Sequence, residues 1–282
     1  MCADGSIDLP AFDNLIDWHI EAGTHGIVVV GTTGESATLS SKEHCSLVAH
    51  SVEYANGRVP IIAGTGSNNT DEALYFTESA KNHGADACLL VTPYYNRPSQ
   101  EGLYQHFKKI AEAVEIPQIL YNVPGRTACD LALETVDRLA DLENIAAIKD
   151  ATGDIPRGLE LIKTCEDRIA VYSGEDAISR LLILAGAIGT ISVTANVAPA
   201  LMAQMCTHAL AGDKQAAQEA DSKLALLHAN LFLEANPVPV KWALYKMGLI
   251  GPKIRLPLVE LDSKYQLQVC EALAAASIEL SS

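Results

Sequence analysis

From residue 26 onward the chain alternates short, β-branched apolar runs with longer stretches in which apolar residues recur every three to four positions. Short runs of that kind have strand length, whereas the three-to-four period marks one face of a helix. Strands are thereby predicted at 26–30, 60–63, 87–92, 118–122, 145–149, 169–173 and 190–194. Helical stretches fall between them, as in Glu101-Gly102-Leu103-Tyr104-Gln105-His106-Phe107-Lys108-Lys109-Ile110-Ala111. Turns are marked by Asn56-Gly57, His83-Gly84 and Ala185-Gly186. Strands that alternate with helices pair in parallel, and strands apolar along their whole length are buried on both faces. The pattern predicts an α/β fold, a (β/α)8 TIM barrel, with an open doubly wound sheet as the alternative. The glycine fingerprint of a dinucleotide-binding open sheet is missing, because Gly64-Thr65-Gly66 runs on into Ser67-Asn68-Asn69.

The count is one strand short of eight. Residues 10–22 read as the first barrel helix, with Asp8 as its cap, and no strand pattern precedes them. A barrel lacking its first strand is therefore expected over 1–211. Further helices are predicted at 199–211, 216–232, 238–247 and 265–280, and 212–282 reads as a C-terminal helical subdomain packed on the barrel. No long linker separates the two.

Composition narrows the partners. With 49% hydrophobic residues the chain can bury a large core, and a net charge of −15 without clustered Lys or Arg argues against nucleic acid. Seven scattered cysteines with no Cys-x-x-Cys pair point away from zinc or redox work and fit a reducing cytoplasm. The longest nearly apolar stretch, 181–191, is too short and too Gly-rich to span a bilayer, and Asp4 and Asp8 stand where an export leader would be basic.

The chemistry centres on Lys149, at the end of the apolar run Ile145-Ala146-Ala147-Ile148. A lysine of ordinary pKa is almost wholly protonated at pH 7, and desolvation is the usual way to free its amine for nucleophilic attack. The structural alternative is a strand-end lysine that snorkels to water. Lys241, in Pro237-Val238-Pro239-Val240-Lys241-Trp242, is the only other lysine with apolar neighbours, and it falls in a helix after the barrel.

In a barrel the site gathers at the C-terminal strand ends. There the sequence places Gly31-Thr32-Thr33-Gly34-Glu35-Ser36, Thr92-Pro93-Tyr94-Tyr95-Asn96-Arg97-Pro98 and Leu120-Tyr121-Asn122-Val123-Pro124-Gly125-Arg126-Thr127. The first can present amides and hydroxyls to a carboxylate, or be a capped turn before a helix opened by Ser40 or Ser41. Tyrosines at such ends are either fillers or proton carriers, and Arg126 is a bidentate donor for a second carboxylate. An amine, phenols, hydroxyls and a guanidinium suit condensation of a 2-oxo acid through a lysine imine, with no metal or organic cofactor.

Those motifs, with Ile148-Lys149-Asp150-Ala151-Thr152-Gly153 and Ile191-Ser192-Val193-Thr194-Ala195-Asn196, resemble the dihydrodipicolinate synthase family in order along nearly the whole chain. The resemblance implies condensation of pyruvate with L-aspartate 4-semialdehyde in a cytoplasmic homodimer or homotetramer. It assigns the imine to Lys149, proton transfer to Tyr121, Thr33 and the neighbouring subunit's counterpart of Tyr95, and the pyruvate pocket to Thr32, Thr33, Gly174 and Ile191. Arg126 would take the carboxylate of the semialdehyde. N-acetylneuraminate lyase and 2-keto-3-deoxy sugar acid aldolases share the lysine and tyrosine, and Arg126 discriminates against them. An L-lysine inhibitor cleft would use Ser36, Ala37, His44, Asn68, Glu72 and Tyr94, although Ser41 stands where such enzymes carry a histidine. The family's first strand would end where this chain begins, so Met1 reads as an internal methionine. A weak or inactive barrel that binds 2-oxo acids is the competing expectation, since two strand edges would be exposed.

Overall fold

The computed structural model describes residues 1–281. Helix α1 (Leu9–Glu21) starts at Asp8, whose Oδ1 accepts the Ala11 N–H at 3.1 Å. It leads through β1 (Ile27–Val29) to α2 (Ser41–Ala55). This second helix opens on a reciprocal capping box, in which Ser40 Oγ accepts the Glu43 N–H and Glu43 Oε2 accepts the Ser40 N–H. The alternation continues with β2 (Ile61–Gly64), α3 (Thr70–Asn82), β3 (Ala87–Val91), α4 (Gln100–Ala113) and β4 (Gln118–Asn122). Two short helices, α5 (Pro124–Thr127) and α6 (Leu133–Leu139), precede β5 (Ile145–Asp150), and α7 (Ile155–Cys165), β6 (Ala170–Ser173), α8 (Asp176–Leu184) and β7 (Gly189–Thr190) complete the series.

The seven strands pair in parallel in chain order, β1 to β7. One interior cluster joins Val28, Ile62, Leu89, Ile119, Ala147, Ala170 and Ile191, so the sheet curls until its two ends face the same core. A larger core lies between sheet and helices, filled by residues of opposite parity such as Leu90, Leu120 and Ile148. This two-sided burial is why the strands read as continuous apolar runs. Among the described residues the outer edges of β1 and β7 carry no ladder partner.

The strand predicted at 190–194 shrinks to Gly189–Thr190, and residues 194–196 form a 3-10 turn. Asp176 Oδ2 takes the N–H groups of Val193 and Thr194 at 3.0 and 2.8 Å, and Ser192 Oγ takes that of Ala195 at 2.8 Å, so those donors cannot join a ladder. Helix α9 (Pro199–Leu210), α10 (Lys214–Asn230), α11 (Val238–Lys246) and α12 (Ser263–Ala275) follow, with α10 packed on α8, α9 and α12. The last helix stops short of the predicted 280, because Ser277 turns left-handed at φ +59° and the Ile278 N–H closes back on Leu273 O at 3.0 Å. No helix among the described residues is long and apolar enough to cross a membrane.

The C-terminal segment grips the loop after β1. Lys241 of α11 forms an ion pair with Glu35, whose side chain is fully buried. The backbone N–H of Arg255 donates to the other oxygen of Glu35 at 2.9 Å, while the Arg255 guanidinium binds Glu43, Thr38 O and Gly5 O. Burying one partner of such a pair without the other is strongly unfavourable, so the loop and the C-terminal segment are held as a unit.

A titratable group inside the helix layer sets an acid limit on stability. His106, on the buried face of α4, shares its Nδ1 with Thr70 Oγ1 at 2.9 Å, and its Nε2 is buried without a partner. Burial pushes its pKa down to about 4. Between that value and the unfolded value near 6.5 the unfolded chain binds the extra proton, so stability is complete above this window and falls as pH drops through it, by up to about 1.4 kcal/mol per pH unit. Urea unfolding at pH 7, 6, 5 and 4.5 should show this decline, flattened in His106→Gln. Parallel declines in both proteins would remove His106 as its source.

Candidate active site

Strand parity brings the reactive groups together. Ile119, Tyr121 and Val123 share the interior face with Ala147. The register sets Tyr121 opposite Lys149, and Lys149 opposite Tyr172. Lys149 is 9% exposed, and its Nζ lies 4.2 Å from the centre of the Tyr121 ring. The intervening residues point the other way, where they form a polar truss. Buried Asp150 accepts from Asn122 Nδ2 at 3.1 Å, Arg157 Nε at 3.2 Å and the Thr152 N–H at 3.1 Å. Asn122 also holds Asp130 through its Nδ2 and the Leu131 N–H through its Oδ1, so the lips of β4 and β5 are pinned outside the level where Tyr121 and Lys149 face inward.

The loop after β1 is the second component. Val30 sits at φ +49°, a left-handed conformation that a β-branched residue adopts only under constraint. Its carbonyl is so close to Gly64 that a Cβ there would lie 2.6 Å from the oxygen, and only glycine lets the two backbones meet. The chain then presents Thr32 and Thr33 to the interior and turns left-handed again at Glu35, φ +58°, aiming that carboxylate at Lys241. Asn236, buried just ahead of α11, donates from Nδ2 to Thr33 Oγ1 at 3.0 Å.

A cavity of about 980 Å³ unites these parts. It is lined by Lys149, Tyr121, Thr32, Thr33, Arg126, Gly174 and Ile191, which the structure thus brings together as the sequence led us to expect. Gly174 faces Lys149 so closely that a Cβ would stand 2.8 Å from the lysine Cε. Arg126, at the exposed end of α5, donates from Nη2 to the carbonyl of Asn236 at 3.0 Å. Ser36, Ala37, His44, Glu72 and Tyr94 line the same cavity.

Two expected residues stand apart. Tyr95 is 90% exposed and not on the cavity wall, and Asn68 is also off it. Tyr95 occupies the centre of a γ-turn, at φ +72° with the Asn96 N–H on Tyr94 O at 2.9 Å. Asn68 braces this turn, donating to Tyr94 O at 3.2 Å and accepting from Asn96 Nδ2 at 2.8 Å.

Three wall residues escaped sequence reasoning: Asn236, Tyr172 and Glu175. Burial raises the phenol pKa of Tyr172, and burial together with neighbouring Asp176 raises the carboxyl pKa of Glu175. Burial lowers that of His44, against opposing effects of the Gly64 backbone and Glu72, and its ring stacks on Phe76 at 4.2 Å. Strand parity could have singled out Tyr172; nothing local marks Asn236. Among the described residues no group of three or more His, Cys, Asp or Glu side chains is arranged to hold a metal ion.

Comparison with known proteins agrees with this geometry. A family model described as "Dihydrodipicolinate synthetase family" matches residues 1–276. The 4-hydroxy-tetrahydrodipicolinate synthase of Marinobacter nauticus is 59% identical over 279 residues, covering 99% of this chain and 96% of the relative. A solved dihydrodipicolinate synthase from Acinetobacter baumannii, chloride-inhibited and complexed with pyruvate, is 55% identical with a TM-score of 0.98, over 99% of this chain and 96% of that one. The Cyanidioschyzon merolae enzyme, solved with lysine bound, is 34% identical with a TM-score of 0.94, over 98% and 94% of the two chains. On its curled parallel sheet, its cavity and these full-length likenesses, the chain belongs to the dihydrodipicolinate synthase family.

Proposed function

We propose that this cavity condenses pyruvate with L-aspartate 4-semialdehyde to give 4-hydroxy-tetrahydrodipicolinate. The observation that carries the reading is the Lys149 amine set over the Tyr121 ring, in a cavity whose wall also holds Thr32, Thr33 and Arg126. Relatives named for this activity match along nearly their whole length. Pyruvate's carboxylate would rest on the loop of Thr32 and Thr33, with its keto carbon toward Lys149. Nζ adds to that carbon, water leaves, and the protonated imine draws electrons so that the methyl carbon loses a proton. Tyr121 is placed to carry that proton, with Thr33 next in line.

The resulting enamine attacks the aldehyde carbon of the semialdehyde: the new C–C bond forms as the C=O π bond breaks, the aldehyde oxygen takes up a proton, and the protonated imine is restored. Arg126 would hold that substrate by its carboxylate. The substrate's own amino group then adds to the imine carbon and expels Lys149, closing the six-membered ring. Gly174 keeps the space beside the lysine open for these changes, since a methyl group there would displace Cε.

Tyr95 would act across a subunit interface. An aromatic ring 90% exposed on a braced, strained turn fits presentation to a second copy, where it would reach the partner's Thr33. The enzyme would accordingly work as a homodimer or a pair of dimers. Near that surface the stacked His44 and the carboxylate of Glu72, held by Ser67 Oγ, suit the ammonium groups of L-lysine as an inhibitor. The lysine-bound relative supports this assignment.

The reading is tested with initial rates on both substrates. Arg126→Ala should raise the KM for the semialdehyde by about 10- to 100-fold, the worth of a lost charged hydrogen-bond pair, and leave the KM for pyruvate nearly unchanged. Equal effects on both, or faster turnover of a sugar-acid aldehyde, would redirect the assignment. Titration with L-lysine should depress the rate in the wild type and less so in Glu72→Gln. A flat wild-type curve into the millimolar range would remove the inhibitor site.

A further inference from the structure

We infer that Asp176 is a positioning residue that keeps the cavity open above Lys149 for the second substrate, by turning the chain out of the barrel after Ile191. The inference deepens the proposed function and rests on the cavity holding pyruvate at Lys149 with the semialdehyde above it. Successive residues of a strand alternate faces, so every second position shares one. On β7, Gly189 pairs with inner-face Tyr172, and Ile191 packs in the interior cluster. The next position of that parity is Val193. Had the strand run on through the apolar segment 190–194, the Val193 side chain would project into the barrel one step beyond Ile191, toward its mouth. Val193 instead borders the cavity from the core between sheet and helices, where it packs. Its backbone has left the extended region, at φ −88° and ψ −43°, and opens the 3-10 turn Thr194–Asn196.

Asp176, at the start of α8, makes that turn. Its Oδ2 accepts the N–H groups of Val193 and Thr194 at 3.0 and 2.8 Å, successive donors that an extended chain points in opposite directions. Thr194 Oγ1 meets His228 Nδ1 at 2.9 Å, which fastens the turned chain to α10. Upstream, the Ile191 N–H stays on Ser173 O at 2.9 Å, so Ile191 is anchored in the sheet independently of Asp176. The Asp176 carboxylate is 2% exposed and its Oδ1 has no partner among the described residues, so the clamp relies on one acceptor oxygen and not on the charge.

Asp176→Ala releases both amides and lets Val193 fold inward. In initial-rate kinetics, kcat/KM for the semialdehyde should fall on the order of 10²-fold, the cost of misplacing a substrate by about 1 Å. Borohydride trapping of pyruvate on Lys149 should keep nearly the wild-type rate, because Ile191 has its own anchor. Trimming the intruding side chain should repair the fault: Asp176→Ala combined with Val193→Ala should recover most of the lost kcat/KM, whereas two independent losses of packing would add. Asp176→Asn, which presents the same oxygen, should stay close to wild type. Semialdehyde kinetics within about twofold of wild type in Asp176→Ala would overturn the inference. So would a double variant no better than the single one, or an Asp176→Asn protein as impaired as Asp176→Ala. If Asp176→Ala does not fold, Asp176→Ser, too short to reach both amides, must show the same loss and the same repair by Val193→Ala, and normal kinetics there overturn the inference. A wild type that gives no pyruvyl adduct on Lys149 removes the proposed function itself, whereas a normal adduct with unaffected Asp176 variants removes only the role of Asp176.

Discussion

The structure depends on holding a lysine amine in place on the inner face of a parallel sheet with no hydrogen bond from inside. Lys149 Nζ meets the Tyr121 ring but, among the described residues, no acceptor. Its position is therefore set from outside the barrel. Period-two alternation sends Asp150 and Asn122 to the helix side, where Arg157, Thr152, Asp130 and Leu131 lock the ends of β5 and β4 together. A slip of one residue would exchange the two faces and send the amine into the helix layer. Polar bonding on one face thus allows the other to remain free of partners, which a nucleophile requires.

The second constraint acts at longer range. The loop after β1 is strained at Val30 and left-handed at Glu35, conformations that persist only where the surroundings over-determine them. The C-terminal segment supplies that determination through Asn236 on Thr33, Lys241 on Glu35, and Arg255 on Glu35, Glu43, Thr38 and Gly5. Arg255 also holds the Glu43 carboxyl down at about 2, together with the Ser40 backbone N–H. The helices after the barrel are therefore part of how the site is assembled. Lys241, which the sequence offered as a rival nucleophile, has its charge engaged by buried Glu35 instead.

Much of this was legible in the residues. The seven strands, the capping of α1 by Asp8 and of α2 by Ser40, and the gathering of Lys149, Tyr121, Thr32, Thr33 and Arg126 at one end follow from periodicity and turn chemistry. What escaped depends on contacts distant in sequence. The last strand is short because Asp176 takes amides that the apolar pattern at 190–194 gave no reason to doubt. Asn236 meets Thr33 across 203 positions of chain, and neighbouring prolines say nothing about that contact. Strand parity was enough to put Tyr172 on the inner face, but its place opposite Lys149 follows from the pairing of β5 with β6.

The central claim is that Lys149, and no other amine, forms the covalent link to pyruvate. Reduction with borohydride in the presence of pyruvate, followed by peptide mass mapping, examines it directly. The account predicts a single pyruvyl adduct per chain on the peptide containing Lys149, with activity lost in proportion. An unmodified Lys149, or a label carried by Lys241, would contradict it.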